Sequence, residues 1–537
     1  MSTPPAAPQG HAATVREALS RNVGVDVAAR VGYLLSRFFI PPFVVAHIGM
    51  EAYGLWATVF ILVSYVGMST LGVSNAYVKY IAQYMSRGQP GKANALLSTG
   101  VTATLTIALV LFTLMALCLP RVIVLLKVPP ALQADARMVV LSVVAIFLLD
   151  LALCCFDDAL SGCQRTAEVQ TIWAISYLVE TALIFALVGA GYGIRGLAYA
   201  FVIRTLLANA LSAAVAHRKL HWLSLSPFKC SREAAAVLMS FGGITQLQGL
   251  LAIGLNSIER AIAAPLIGLD AAGLLDIGKK LPAMAASVPS AFATAFMPAA
   301  SYLHGGLEGT DEGREAMAKL YLKGARYMNL SAAYICGLLA TSPVPILLVW
   351  MGKLYPGTAL LMVVFCVSTQ VHLMTAPGTS MLRGMGRPGQ EFVYSLGNLA
   401  VLAMAVPASW IIAGRWTVVG LGSAVAAATV VSAIIFICWA NHLLAIPGRR
   451  YLEFVVIPGL VPYLVGLLFA IPAYYGVAHT SRWGGAALMT LVGALYSAVL
   501  VAVVSLSVLE PGERYWFGAV IRQHLARLVP ALRGGEA

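Results

Sequence analysis

The stretch Ile48-Gly49-Met50-Glu51-Ala52-Tyr53-Gly54-Leu55 returns 219 residues later as Ile267-Gly268-Leu269-Asp270-Ala271-Ala272-Gly273-Leu274. Five of the eight positions are identical, and the Met/Leu and Glu/Asp exchanges are conservative. Two weaker matches follow in the same order, 162–165 with 384–387 at an offset of 222 and 196–198 with 420–422 at 224. Three matches in one order at nearly one offset predict two homologous halves with the same orientation.

Long apolar stretches surround these motifs and fill almost the whole chain. Hydrophobic residues make up 60% of the 537 residues, charged residues only 11%, and the mean hydropathy is +0.84. Most stretches reach about 20 residues, which at ~1.5 Å per residue crosses a hydrocarbon core of ~30 Å. Backbone polar groups find no water there, so we predict membrane-spanning helices. Buried helices of a large soluble protein would be fewer, shorter and more polar on one face.

We therefore predict an all-α polytopic membrane protein with about 14 transmembrane helices. Two homologous six-helix bundles are expected to surround a central cavity, with two additional helices after them. The predicted spans are 23–46, 53–78, 96–118, 138–158, 171–190, 196–216, 236–264, 272–300, 327–351, 358–381, 392–414, 417–440, 454–478 and 484–508. The predicted parts are a cytosolic segment 1–22, the bundles 23–216 and 236–446, a cytosolic linker 217–235, the additional helices 452–508, and a cytosolic amphipathic tail 509–537.

Lysine and arginine are unequally distributed between the two sets of loops. With the N-terminus in the cytosol, the cytosolic segments hold 21 of these cations and the opposite face holds 7. This bias predicts that both termini are cytoplasmic. It also explains most of the net charge of +13, so no nucleic-acid partner is expected. The eight cysteines contain no CxxC pair, which favours reduced packing residues over a metal site, and no cofactor is expected.

Charged residues inside the predicted spans gather in the first eight of them, and the last four spans contain none. Charges at membrane depth are costly and usually face a water-filled cavity or a partner. On the first span, Asp26 and Arg30 can form an i,i+4 pair, whereas Arg37 lies about half-way through the bilayer with no acid near it on that helix. Arg37, with Lys279 and Lys280 of the eighth span, is therefore the best candidate for binding an anion.

The remaining intramembrane charges leave two interpretations open, substrate binding and pairing between helices. Arg30, Arg204 and Arg260 are further candidate cavity cations. The acids Asp26, Glu180 and Glu259 either couple transport to an ion or pair with cations to hold helices together. Asp150 and Asp276 are the other acids inside the spans. After neighbouring acids and cations are paired off, a small surplus of positive charge remains inside the spans, which favours a substrate with an anionic headgroup. Asp157 and Asp158, near the cytosolic end of the fourth span, are expected to cap or solvate that helix.

The run 49–56, followed by Gly72 and Lys79, resembles the amino-terminal signature of bacterial polysaccharide transporters, the O-antigen and exopolysaccharide flippases. The likeness continues through both halves at Gly162 with Arg165, Gly193 with Gly196, Gly268 with Gly273, Pro298 with Ser301, and Gly384 with Arg387. That family belongs to the multidrug, oligosaccharidyl-lipid and polysaccharide exporter superfamily. The resemblance implies two bundles around a cationic cavity that faces the cytosol and the periplasm alternately. Of the family's cavity residues, the resemblance assigns to this sequence only cationic positions on the first, seventh and eighth spans.

The resemblance further implies a flippase of the bacterial inner membrane that moves a polyprenyl-pyrophosphate-linked glycan for O-antigen, capsule or exopolysaccharide synthesis. Arg37, Lys279 and Lys280 would hold the pyrophosphate while the polyprenyl tail stays among the membrane lipids. A polysaccharide polymerase and glycosyltransferases are the expected protein partners. The alternative is a cation-coupled multidrug exporter of the same superfamily, which would need carboxylates in a mostly apolar cavity.

An enzyme is the third class considered. A polymerase, ligase or glycosyltransferase needs a catalytic segment outside the cytosol, yet the longest outer loop, about 119–137, contains no evident acid–base set. The sequence also lacks GxxxxGK[ST], which excludes ATP-driven pumping by this chain itself. No catalytic residue is expected, since flipping makes and breaks no bond.

Overall fold

The computed structural model describes residues 9–67, 73–241, 243–293, 296–307, 310–509 and 512–515, with side chains from residue 32 onward except at scattered positions. Within these ranges the secondary structure is helical and contains no strand, which confirms the all-α class. Ten helices are long and apolar enough to cross a membrane, or eleven if Asp311–Thr341 and Pro343–Met351, bent by 81°, form one span. The total of fourteen spans stays a prediction.

The α-helices in chain order are α1 (Gln9–Gly67), α2 (Val73–Ser86), α3 (Pro90–Leu125), α4 (Gln133–Leu153), α5 (Cys155–Gly162), α6 (Thr166–Gly189), α7 (Gly193–Lys219), α8 (Arg232–Phe241), α9 (Gly243–Leu266), α10 (Leu269–Ala285), α11 (Ser287–Ala293), α12 (Phe296–Leu307), α13 (Asp311–Thr341), α14 (Pro343–Met351), α15 (Thr358–Leu373), α16 (Ala376–Gly384), α17 (Pro388–Ala413), α18 (Val418–Leu443), α19 (Gly448–Tyr451), α20 (Val461–Ala478) and α21 (Arg482–Val503). Short 3₁₀ and π segments connect some of them. The chain forms two compact units: Met1–Lys280 with Phe392–Val425, and Leu281–Glu391 with Ala426–Ala537.

Glycine in the repeated motif breaks the chain between two consecutive helices. α1 consists of two helices joined at Gly49, whose φ of 82° and ψ of 170° are not helical. Its counterpart Gly268, with φ of 144°, stands directly before α10. Side chains strain the backbone in this region of φ, so glycine is the residue that fits. The first two residues of the shared pattern thus have the same structural role in both copies.

The two copies of the motif also pack against each other inside the first unit. A Cβ atom on Gly54 would lie 1.9 Å from the carbonyl oxygen of Leu269. A Cβ atom on Gly273 would lie 2.9 Å from Sδ and 3.0 Å from the carbonyl oxygen of Met50. Met50 and Leu269 are equivalent positions of the repeat, as are the two glycines, so the contact is reciprocal. We call this contact the motif junction; it needs glycine because the backbones approach so closely.

In the second unit, a buried polar network connects α13, α15 and the segment before α20. The side-chain amide of Asn329 donates to the carbonyl of Val455 at 2.7 Å and accepts from the amide of Gln370 at 2.7 Å. Gly459 allows this approach, because a Cβ atom there would lie 2.0 Å from Nδ2 of Asn329. Buried amides are tolerated in an apolar helix bundle when their hydrogen bonds are made, as they are here.

Candidate substrate-binding site

Arg37 of α1, Glu180 of α6 and Arg204 of α7 form one charged cluster, which we call the α1–α6–α7 cluster. Nη2 of Arg37 lies 3.7 Å from Glu180, and Nε of Arg204 lies 3.8 Å from the same carboxylate oxygen. The Glu180 side chain is 2% exposed, compared with 24% for Arg37 and 12% for Arg204. Arg37 has no acid within two helical turns along its own helix, as the sequence indicated, but α6 supplies one. Two cations therefore share one buried carboxylate.

Aromatic rings complete this cluster. The Arg37 guanidinium lies 5.1 Å from the ring centre of Tyr33 and 5.6 Å from that of Tyr177, and the Arg204 guanidinium lies 4.9 Å from the rings of Tyr177 and Phe201. Cation–π attraction of this kind stabilises guanidinium groups that have left water. Tyr177 contacts both cations and so helps to hold two like charges close together. The sequence analysis missed these rings, although Tyr33 and Arg37 show the one-turn spacing that could have indicated the pair.

A second cluster, the α9–α10 cluster, contains three cations and two acids. Asp276 accepts from Arg260 at 2.6 Å and from Lys280 at 3.1 Å, and Glu259 accepts from Lys279 at 2.8 Å. Arg260 also lies 3.9 Å from Glu259. The cations remain 20–28% exposed, whereas Glu259 is 0% and Asp276 7% exposed. The carboxylates thus lie beneath the cations.

Tyr53 links the second cluster to α1. Its hydroxyl donates to Asp276, which is buried, and the phenol also interacts electrostatically with Arg37 of the first cluster. Tyr53 belongs to the repeated motif, where the second copy has Ala272. The difference between two otherwise similar copies is the sequence signal that could have identified this residue. The motif junction therefore places the two clusters next to each other along α1.

Some hydrogen-bonding capacity in both clusters is unused in this conformation. Five of their buried side-chain atoms have no hydrogen-bond partner: Nε of Arg37, Arg204 and Arg260, Oε1 of Glu180 and Oε2 of Glu259. Most buried polar atoms in proteins are paired, because leaving one unpaired costs about 1–3 kcal/mol. Unpaired atoms concentrated in two charged clusters are typical of a site whose partners change during function.

The structure brings five of the predicted cations into these clusters, Arg37 and Arg204 into the first and Arg260, Lys279 and Lys280 into the second. Glu180 and Glu259 pair with them, while the side chains of Asp26 and Arg30 lie outside the described residues. That any of these residues binds substrate stays a prediction. In the part of the chain that the structure describes, no group of three or more His, Cys, Asp or Glu is arranged to hold a metal ion.

The sequence profile of the family described as "Polysaccharide biosynthesis protein" matches residues 20–304, more than half of the chain and the part that contains both clusters. The chain belongs to the polysaccharide biosynthesis protein family. This confirms the resemblance that the motifs indicated. A curated relative in sequence is the "Uncharacterized membrane protein EpsK" of Bacillus subtilis (strain 168), 24% identical over 353 residues that cover 64% of this chain and 68% of the relative.

Solved structures share the fold of this polysaccharide biosynthesis protein. A multidrug resistance MATE family transporter of the MOP superfamily, in an inward-facing conformation, matches with a TM-score of 0.63 and 15% identity over 77% of this chain and 94% of its own. The lipid II flippase MurJ, in an inward closed conformation, matches with a TM-score of 0.63 and 11% identity over 89% of this chain and 98% of its own. Family, hydropathy and fold together indicate a multi-pass membrane protein of polysaccharide biosynthesis.

Proposed function

We propose that this protein is a flippase that moves a polyprenyl-pyrophosphate-linked oligosaccharide across the bacterial inner membrane for O-antigen, capsule or exopolysaccharide synthesis, by alternating access. The observation that carries the proposal is the surplus of one cation in each cluster, with the acids buried beneath the cations. The family supports a role in polysaccharide biosynthesis. A protein of the same fold is a lipid II flippase.

The chemistry of a pyrophosphate fits these two clusters. Arg37, Lys279 and Lys280 keep part of their side chains exposed and offer charge-assisted hydrogen bonds, which arginine makes in a fork and lysine as a point charge. Before cargo arrives, Glu180, Glu259 and Asp276 neutralise most of the positive charge, because unpaired buried cations would destabilise the bundle. The pyrophosphate would take over cations from these acids while the glycan crosses in a polar passage between bundles 23–216 and 236–446.

The surroundings of the site follow from the same proposal. The polyprenyl tail would stay among membrane lipids, and both termini would lie in the cytosol, where glycosyltransferases build the glycan. A polymerase would use the cargo on the other side. The protein itself makes and breaks no bond, so it is not an enzyme in this scheme.

A multidrug exporter is the competing function, since a MATE family transporter shares the fold. A site for cationic drugs needs carboxylates that are free of protein cations. Glu180, Glu259 and Asp276 each lie within 4 Å of at least one arginine or lysine. The charge arrangement of the two clusters therefore favours an anionic cargo.

The test is flipping in proteoliposomes with a fluorescent polyprenyl-pyrophosphate oligosaccharide whose outer-leaflet copies are quenched by a membrane-impermeant reductant. The double variant Arg37→Gln/Lys279→Gln is expected to lose at least about tenfold in flipping rate, since each charge-assisted hydrogen bond contributes about 1.5–3 kcal/mol. Lys353→Gln, which removes an exposed cation outside the clusters, is the matched control and is expected to flip normally. Unchanged flipping in the double variant would show that these cations do not bind the cargo. Export of cationic drugs without any flipping would establish the exporter instead.

A further inference from the structure

One group of three carboxylates in the first unit lies outside both clusters: Asp150 on α4, and Asp157 and Asp158 on α5. Each accepts a hydrogen bond from a neutral donor: Asp150 from Asn209 at 2.6 Å, Asp157 from Ser212 at 2.5 Å and Asp158 from Ser74 at 2.6 Å. Among the residues that the structure describes, no lysine, arginine or histidine lies within 4.0 Å of these carboxylates. These acids therefore differ from Glu180, Glu259 and Asp276, which all have cations.

Asp158 is the most buried of the three. The residue is 8% exposed and packs into an apolar cluster that includes Ile81, Ala159 and Leu160. Its Oδ2 atom is buried and accepts no hydrogen bond. The expectation that Asp157 and Asp158 cap or solvate the fourth helix is therefore not met at Asp158, because its side chain is buried among these apolar residues. An ionised carboxylate in such surroundings is strongly unfavourable, and binding a proton removes its charge.

Other titratable groups around Asp158 supply no positive charge that would replace the proton. The titratable groups that interact with it are Asp157, the thiols of Cys154 and Cys155, and the Tyr77 phenol of α2. Groups on the other helices packed against α5 are directed elsewhere: His217 of α7 contacts Phe156, and Glu168 of α6 pairs with Arg165.

A path for a proton leads from Asp158 to the surface. Ser74, whose hydroxyl donates to Asp158, is itself exposed. Asp158 also lies only one helical turn, about 6 Å, from Gly162 at the end of α5, beside the loop predicted to be cytosolic. A hydroxyl group can accept one proton while it donates another, so Ser74 can connect the buried carboxyl to water.

We propose that Asp158 is a proton-binding site at the cytosolic end of the first unit, with Ser74 as the relay and Asp157 as a neighbouring charge. The ligand is H⁺ from cytosolic water, which joins the carboxylate to give the neutral acid. While α2 and α5 pack against each other, as they do here, the Asp158 carboxyl keeps its proton. If the two helices separate and water enters between them, the carboxyl releases the proton. The site thereby links proton release to opening of this end of the bundle, whatever the cargo is.

The experiment is pH-dependent difference infrared spectroscopy of the purified full-length protein in lipid nanodiscs, without any cargo. A protonated carboxyl has its own C=O stretching band, which should disappear as pH rises. Asp158→Asn should remove that band. Asp135→Asn, which changes a partly exposed acid paired with Arg195, is the matched control and should leave it in place.

Ser74→Ala provides a second readout that a purely structural role would not change. Removing a donor to the ionised form should move the midpoint of the band upward by about one to two pH units, since a hydrogen bond to a charged group contributes that much. A band that persists in Asp158→Asn, or a midpoint that does not move in Ser74→Ala, would overturn the proposal. Loss of the band on adding NaCl at constant pH would also overturn it, because the site would then bind sodium.

Discussion

Replacing Gly54 by alanine tests the motif junction, because the added methyl group meets backbone instead of a flexible side chain. The Cβ atom would lie 1.9 Å from the oxygen and 2.7 Å from the carbon of the Leu269 carbonyl, and real contacts essentially never fall below 3.0 Å. α1 and α10 would have to separate by about 1 Å. Overpacking of this kind typically costs about 1–3 kcal/mol, and we expect the upper end because a helix backbone cannot rotate away.

Gly273→Ala changes the equivalent position of the other copy, but its effect should be smaller. Its Cβ atom would meet Sδ of Met50 at 2.9 Å and the Met50 oxygen at 3.0 Å, and a methionine side chain can move. We expect a cost of about 1 kcal/mol. Gly254→Ala in α9 is the matched control, because its nearest new contact is an ordinary 3.8 Å to Tyr65.

The assay is thermal unfolding of the three purified variants in the same detergent, followed by flipping in proteoliposomes. Gly54→Ala should unfold at the lowest temperature, Gly273→Ala at an intermediate one, and Gly254→Ala at or above the wild-type value, since alanine favours helix. Equal unfolding temperatures for Gly54→Ala and Gly254→Ala would refute the close backbone contact on which this reasoning depends.

Three further predictions concern buried polar groups. Lys279→Gln leaves the fully buried Glu259 without its nearest cation and should lower the free energy of unfolding by about 3 kcal/mol. Glu259→Gln/Lys279→Gln removes both charges and should lower it by only about 1 kcal/mol. Chemical denaturation of the two variants measures the difference, and equal losses would contradict the pairing. Tyr53→Phe removes the donor to Asp276 and should cost about 2 kcal/mol in the same measurement, with no loss expected if the hydroxyl is not bonded in solution. Asn329→Leu leaves the partners of this buried amide unsatisfied in the second unit and should cost about 2 kcal/mol; a gain in stability would show that the network is dispensable.

Local patterns explain why much of the fold was predictable from the sequence. Hydropathy alone identifies helices of membrane-spanning length, because a span must be apolar over about 20 residues. The glycine shared by the two copies of the motif has a positive φ in both, at Gly49 and Gly268, where few other residues are tolerated. Both features depend on residues close together in the chain.

Pairing between helices was not predictable, because it depends on how distant helices rotate against each other. The first span shows that Arg37 lacks an acid near it on its own helix, but no local pattern points to Glu180 on α6. The same holds for Tyr53 and Asp276, which belong to α1 and α10. Asp158 shows the converse, since the short helix α5 buries a residue that its position near a loop had suggested was solvated.

The first unit neutralises its buried charges in two different ways, and the difference supports separate roles for them. In the two clusters, cations outnumber acids and lie nearer the surface, so an approaching group meets positive charge first. An anion can exchange places with the internal acids there at little electrostatic cost, because each cation merely changes its partner. Among the residues that the structure describes, Asp157 and Asp158 have no cation within 4.0 Å, so an anion gains nothing from them, and a proton is the smallest ligand that removes their charge. A cationic drug would find no free acid in the clusters, and at the other carboxylates it would need space that the packed apolar residues around Asp158 do not provide.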